Sequence, residues 1–459
     1  MSVRMLTARP SVVRLALPIG SRLKSSSPPS EYAFKLRSSF RTYTTGLVAS
    51  AALLYGYAYY TDSRAAVHTG VIMPLARALT DAEQSHWLAV QLLRLPFGRP
   101  VDRGVDAEGL TTELFGHKVS NPVGLAAGFD KHAEAIDGLF DLGFGYVEIG
   151  SVTPLPQPGN PKPRMFRLVE DQSVINRYGF NSLGHATALS HIQDRVDSFY
   201  RTHPSMFPPS CFPKGPASSP LPPPGLPRSL IPGRLLGINL GKNKVSAADS
   251  DEDYKLGVRT FGPYADVLVI NVSSPNTPGL RKLQGGDRLG QLLTTVVKER
   301  DSLVTHDGVR PKVVVKIAPD LGTEEIDDVA RAIKQSKVDG VIVSNTTISR
   351  PDYLQSANKK EIGGLSGPPV KPLALKVVRA LRARLPVETP IIGCGGISSG
   401  SDALEFARAG ASAVQMYTSF GYAGVGLPRK IKDELEETFT KEGTSWASAV
   451  KEGKQSGRL

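Results

Sequence analysis

Val313-Val314-Val315-Lys316-Ile317-Ala318-Pro319, then a stretch of helical composition from Glu324 to Lys334, then Gly340-Val341-Ile342-Val343-Ser344-Asn345-Thr346: this passage reads as strand, helix, strand. Each apolar run is short, rich in β-branched residues and bounded by Gly, Pro or polar residues, as a buried strand requires. Working outward, the same unit recurs. Runs at Val123–Gly128, Tyr146–Ser151, Leu235–Gly241 and Val267–Ser274 precede it, and Pro390–Gly396 and Ala413–Thr418 follow it. Segments of helical composition, such as Pro372–Leu385 and Ser401–Ala409, lie between most of them. Eight such units predict an α/β fold, a (β/α)8 TIM barrel over residues 100–440, with functional groups at the C-terminal ends of the strands. A doubly wound open sheet competes, but no G-x-G-x-x-G follows the first strand.

The 459-residue chain is long enough for that barrel plus extensions. Its net charge of +12 is uneven: up to Thr42, eight cations face one acid, Glu31, so that segment carries +7 and the rest only +5. A nucleic-acid partner therefore has little support. Only Cys211 and Cys394 are present, and the eight histidines show no metal-ligand spacing, so neither a disulfide framework nor a metal centre is expected.

Residues 1–41 are Arg- and Ser-rich and almost without acids, the composition of a mitochondrial transit peptide or of a basic tail. Residues 42–61 are uncharged and long enough for a transmembrane anchor. Cations before it (Lys35, Arg37, Arg41) and Asp62 after it place the N-terminus in the matrix. A single-pass protein of the mitochondrial inner membrane follows, its large domain facing the intermembrane space; a cleaved or buried helix is the alternative for this segment. Residues 70–97 predict a helical pair. Ile72, Leu75, Ala76 and Leu79 recur at helical spacing, Thr80-Asp81-Ala82-Glu83 suggests a capping box, and Trp87, Leu88, Leu92 and Leu95 form an apolar stripe. The pair either meets lipid and frames the entrance for a lipid-soluble ligand or packs on the main domain. The Pro/Ser-rich insertion 203–232 predicts a disordered segment unable to pack a core, and 441–459 a C-terminal tail.

Polar residues concentrate where the strands end. The first run closes with Ala126-Ala127-Gly128-Phe129-Asp130-Lys131, small residues that admit a flat ring and a lysine for an anion. The fourth closes with Asn271-Val272-Ser273-Ser274-Pro275-Asn276-Thr277, where alternation lets at most one of the paired serines face the site. Lys316, inside an apolar run, requires an anion or an electron-rich cofactor beside it. Asn345-Thr346-Thr347 ends the sixth. Gly393-Cys394-Gly395-Gly396-Ile397 followed by a helix is the phosphate cradle of a barrel, sized for a mononucleotide such as FMN.

These residues closely resemble dihydroorotate dehydrogenases of the membrane-bound, quinone-reducing class. The resemblance covers residues 70–440 apart from the insertion. It rests on Asn121–Lys131 (NPVGLAAGFDK), Val174–Asn181 (VINRYGFN), Gly237–Lys244 (GINLGKNK), Asn271–Leu280 (NVSSPNTPGL), Val315–Asp320 (VKIAPD) and Gly363–Gly367 (GGLSG). It implies FMN held by Ala126, Ala127, Gly128, Phe129, Asp130, Ser151, Asn239, Asn271, Lys316, Ser344, Gly367, Gly396, Tyr417 and Thr418. It implies dihydroorotate or orotate held by Lys131, Asn176, Arg177, Tyr178, Gly179, Phe180, Asn271, Ser274, Asn276, Asn345 and Thr346. The catalytic base falls on Ser274; the soluble class has cysteine there, and neither cysteine of this chain lies near. Ubiquinone contacts fall on His86, Arg167 and Tyr417, and Arg77 departs from the glutamine common in relatives. As a hypothesis, Ser274 removes a proton from C5 with Thr277 as relay, while Lys316 stabilises the reduced flavin. Inner-membrane lipid is the remaining expected partner, and nothing points to an obligate protein partner. Another FMN barrel oxidoreductase, of the dihydrouridine synthase or ene reductase type, and a flavin-free membrane scaffold are the alternatives.

Overall fold

The computed structural model describes residues 31–215, 217–277 and 279–456. The chain divides into two units at Gly56/Tyr57. The N-terminal unit contributes most of a 30-residue helix, α1 (Glu31–Tyr60). The expected transit peptide falls largely on residues 1–30, outside the described residues, and from Glu31 onward that stretch is helical. The expected spanning segment is also helical, but among the described residues no helix is long and apolar enough to cross a membrane. The reason is compositional: tyrosines, threonines and glycines between Thr42 and Thr61 dilute the Leu, Val and Ala of the segment.

In the larger unit all eight expected strands form: β1 (Val123–Leu125), β2 (Tyr146–Val152), β3 (Leu235–Leu240), β4 (Val267–Asn271), β5 (Lys312–Ile317), β6 (Gly340–Val343), β7 (Ile391–Cys394) and β8 (Ala413–Met416). Each pairs in parallel with its neighbours in chain order, and β8 closes on β1. The strands stop two or three residues before most of the apolar runs do, which leaves the rim residues in loops. Alternation sorts the side chains. Val313, Val315 and Ile317 point out to the helices, while Val314 joins the interior with Val267, Ile342 and Ile392. Lys316 shares the parity of Val314, so it too faces the interior.

Helices follow the same local rules. Thr323–Ser336 buries Ile326, Val329, Ala330 and Ile333 on one face, and the Glu325 carboxylate accepts the Gly322 N–H at 2.8 Å. At the N-terminal end of the barrel, an antiparallel hairpin (Thr112–Leu114 with His117–Val119) plugs the interior with Leu114, Phe115 and Val119. Ligand access is therefore confined to the opposite end. That end carries a three-stranded antiparallel sheet built from Met165–Leu168, Ser173–Asn176 and Gly364–Ser366.

Three expectations need amendment. Insertion 203–232 is not a coreless excursion: Phe207, Cys211 and Leu230 are buried, and Arg228 forms a buried ion pair with Asp307 at 2.8 Å. Asp266 accepts the Arg228 and Ser229 N–H groups, so irregular backbone is satisfied by a side chain instead of by a ladder. Nor are residues 441–456, the described part of 441–459, a tail. Helix Trp446–Ser456 buries Trp446 completely, and its indole N–H donates to the Ser412 carbonyl at 2.9 Å. Third, the helical pair exists as α2 (Met73–Leu79) and α3 (Ala82–Arg94), but its capping box is Asp81 with Gln84, one residue along from the expected Thr80 and Glu83. Val90 and Leu93 of α3 pack on the barrel, while Trp87, Leu88, Leu92 and Leu95 remain 41–64% exposed. The pair thus packs on the barrel through one face and leaves an apolar stripe exposed on the other.

Candidate active site

A cavity of about 550 Å³ opens at the C-terminal end of the barrel, within the range of small-molecule sites. Ala126, Ala127 and Gly128 form one wall, where the absence of side chains lets a flat group approach the backbone. Gly128 adopts φ +104°, a left-handed conformation that other residues avoid, and donates its N–H to the Gly150 carbonyl at 2.7 Å. Ser151, Asn271, Lys316 and Ser344 line the floor. At one end Gly367, Gly395, Gly396, Tyr417 and Thr418 converge. A Cβ at Gly396, itself at φ +69°, would meet Lys371 Cβ at 2.8 Å and the Gly367 carbonyl at 3.0 Å. Only glycine keeps this cradle open.

The other end is polar. Lys131 Nζ sits 3.2 Å from the Tyr178 ring centroid and donates to Asn181 at 2.9 Å. Burial, assisted by the nearby Arg164 charge and opposed by Glu83, lowers the Lys131 pKa to about 7. Asn276 donates to the Asn176 carbonyl and side-chain oxygens at 3.1 and 3.2 Å, and Asn345 donates to Ser273 Oγ at 3.0 Å. Gly179, Phe180 and Thr346 complete this end. The two serines part, although both lie in the loop beyond the end of β4. Ser273 is buried against Asn271, whereas Ser274 lines the cavity, its Oγ accepting the Asn276 N–H at 3.3 Å.

Several expected residues stand outside the cavity lining. Asp130 is fully buried and accepts the N–H groups of Glu134 and Ala135 at 2.9 and 2.8 Å, so it shapes the loop after β1. Phe129 is in the hydrophobic core. Arg177 turns away to Glu361 at 2.6 Å and stacks over Phe166, leaving the substrate end to its neighbours. Asn239 lies beneath the floor, accepting from Ser151 and Asn271. Thr277, the expected relay, has a buried hydroxyl without a hydrogen-bond partner among the described residues and is not bonded to Ser274. His86 joins its Nε2 to the Phe129 carbonyl at 2.6 Å and packs against the Phe129 and Tyr417 rings, which links α3 to the cavity wall. Burial, with the Lys131 charge nearby, pushes its pKa down to about 3, so it is neutral. Arg167 donates to the Thr80 and Asp81 carbonyls at 2.7 and 3.0 Å, capping the C-terminus of α2. Arg77 reaches the cavity and donates to the Tyr422 carbonyl at 3.0 Å.

Two residues escaped the sequence reading. Glu148 on β2 is fully buried and supplies the anion that Lys316 required, at 3.4 Å. A carboxylate inside the apolar run Tyr146–Ser151 was the available signal. Arg281 donates to the Ser273 and Thr346 carbonyls at 3.1 and 2.8 Å and pairs with Asp320 at 2.8 Å, tying two rim loops together. No local pattern marks it.

Fold and site define a barrel enzyme with an amide-rich anion pocket beside a phosphate-type cradle at the strand ends. Residues 109–439 match the family model described as dihydroorotate dehydrogenase. A relative from Schizosaccharomyces pombe, named dihydroorotate dehydrogenase (quinone), mitochondrial, is 55% identical over 401 residues, 86% of this chain and 88% of its own. The mouse protein of the same name is 47% identical over 372 residues, 81% and 86% of the two chains. The solved structure of ligand-free DHODH from Eimeria tenella superposes with TM-score 0.72 at 39% identity, covering 81% of this chain and 99% of that one. Its complex with ferulenol gives 0.71 at 38%, covering 83% and 96%. This chain belongs to the dihydroorotate dehydrogenase family.

Proposed function

We infer that the chain oxidises (S)-dihydroorotate to orotate in de novo pyrimidine synthesis, using FMN and passing electrons to ubiquinone. The observation that carries this reading is the convergence of Lys131, Asn176, Asn276 and Asn345 beside Ser274, at the opposite end of one cavity from the glycine cradle. The residues fit FMN. The Ala126–Gly128 wall admits a flat ring, the Gly367/Gly396 cradle would hold a phosphate, and Lys316, Asn271, Ser151 and Thr418 offer donors along the path between. When bound, FMN supplies a hydride acceptor that a quinone can reoxidise.

Lys131 neutralises the substrate carboxylate, and the asparagine amides pair with the ring's N–H and C=O groups, which fixes its orientation. Ser274 Oγ removes the proton from C5. A serine hydroxyl is a weak base at neutral pH, so its proton must leave by a relay; Thr277, buried on the same loop and without a hydrogen-bond partner among the described residues, is that candidate. The Lys316 ammonium favours negative charge on the ring system it faces. The neutral His86, with Tyr417, separates this chemistry from the α2–α3 side, where quinone enters. The exposed stripe on α3 lies on the lipid of the mitochondrial inner membrane, with the barrel on its intermembrane-space side.

The test is the absorption spectrum of the purified protein and its response to orotate. A flavin spectrum perturbed by micromolar orotate is expected. A flavin spectrum indifferent to orotate points to another FMN barrel oxidoreductase, and a protein without flavin refutes the reading.

A further inference from the structure

One group in the barrel has no part in the chemistry above. Glu148 lies one layer below the cavity floor, fully buried, and three strands converge on its carboxylate. Asn239 Nδ2 of β3 donates to Oε1 at 2.7 Å, Lys316 Nζ of β5 lies 3.4 Å from the same oxygen, and Gln415 Nε2 of β8 donates to Oε2 at 2.5 Å. Neither Glu148 nor Gln415 lines the cavity, whereas Lys316 does.

This arrangement dictates directions above it. Asn239 spends its NH2 on Glu148, so its oxygen must face up, where it accepts from Asn271 Nδ2 at 3.2 Å and from Ser151 Oγ. Asn271 consequently turns its own oxygen to the Ser273 N–H at 3.2 Å and to Asn345 Nδ2 at 3.4 Å. A chain of oriented amides thus runs from the buried carboxylate to the substrate end. Glu148 also opposes the charge of Lys316 at short range in the buried interior, where Coulomb interactions are stronger than at the surface.

We propose that Glu148 is a positioning residue that acts through Lys316 and Asn239. It holds the redox ring's surroundings less electropositive than Lys316 alone would make them, and it orients the amides that meet ring and substrate. The inference rests on the flavin reading above. Its signature is a reduction potential, which a purely structural role would leave in place.

Midpoint potentials of the FMN-loaded protein, from dye-equilibrated titration, test it. Glu148→Gln leaves the Lys316 charge unopposed, so the midpoint rises; the expected change is tenfold in the reduction equilibrium constant, about 30 mV for a two-electron couple. Gln415→Met removes a donor from Glu148 and strengthens its free charge, so the midpoint falls. The opposite signs keep the idea testable even where Glu148→Gln folds poorly, because Gln415→Met alone carries the second arm. In a Lys316→Met background, Glu148→Gln should move the midpoint less than twofold in the same constant. Shifts under twofold in both single variants, shifts of the same sign, or a full shift in the Lys316→Met background overturn the proposal. Wild-type protein that carries no flavin overturns the functional reading beneath it instead.

Discussion

Lys131 should make orotate binding depend on pH in a way the structure specifies. Its ammonium is the cation at the substrate end, yet burial lowers its pKa to about 7 in the free site, with Arg164 pushing the same way. Only the protonated form can neutralise a carboxylate, and the ligand carboxylate stays ionised above about pH 5. At pH 6 about nine-tenths of the free sites carry the charge, and at pH 8 about one-tenth do. Affinity should therefore weaken about tenfold between those values, while below pH 6 it levels off. The anion raises the Lys131 pKa as it binds, so the loss continues upward until that bound-state value is passed. Spectral titration of the FMN-loaded protein with orotate, repeated from pH 5.5 to 8.5, measures this. Lys131→Arg, always charged, should flatten the profile, and Lys131→Met should bind weakly at every pH. A wild-type dissociation constant that changes less than twofold from pH 6 to pH 8 refutes the reasoning. The same shift has a stability sign: the unfolded chain binds this proton more tightly, so between pH 7 and 10.5 stability rises with pH.

Ser274→Ala should retain FMN and orotate but lose about 10²–10⁴-fold in single-turnover flavin reduction; a rate within threefold of wild type would remove Ser274 as base. Trp87→Glu with Leu88→Glu, both on the exposed face of α3, should leave flavin reduction and folding intact while lowering vesicle association and reoxidation by long-tailed quinone. Equal loss in both half-reactions would show instead that this face packs against protein. Trp446→Ala should cost about 3–5 kcal/mol in denaturant unfolding, since it empties a fully buried site and removes one of the two donors to the Ser412 carbonyl, leaving it the Thr112 hydroxyl; a cost under about 1 kcal/mol would restore the notion of a dispensable tail.

The sequence by itself determined the repeating unit, the number of barrel strands and the parity of their side chains. Strand periodicity is a local property: a residue's neighbours two positions away already say which face it joins. That is why Lys316 could be assigned to an unusual interior position. Partners across the barrel were a different matter. Glu148 and Lys316 lie 168 positions apart, and Glu148 and Gln415 lie 267 apart. Nothing within either strand records that closure brings them together. Arg177 shows the reverse case, a residue inside a recognisable motif whose side chain tertiary contacts draw away to Glu361. Composition misled where periodicity was absent. The Pro-rich insertion and the last helix bury Cys211 and Trp446 on surfaces supplied by the rest of the chain, and burial of that kind depends on the surface met, not on any pattern in the segment itself.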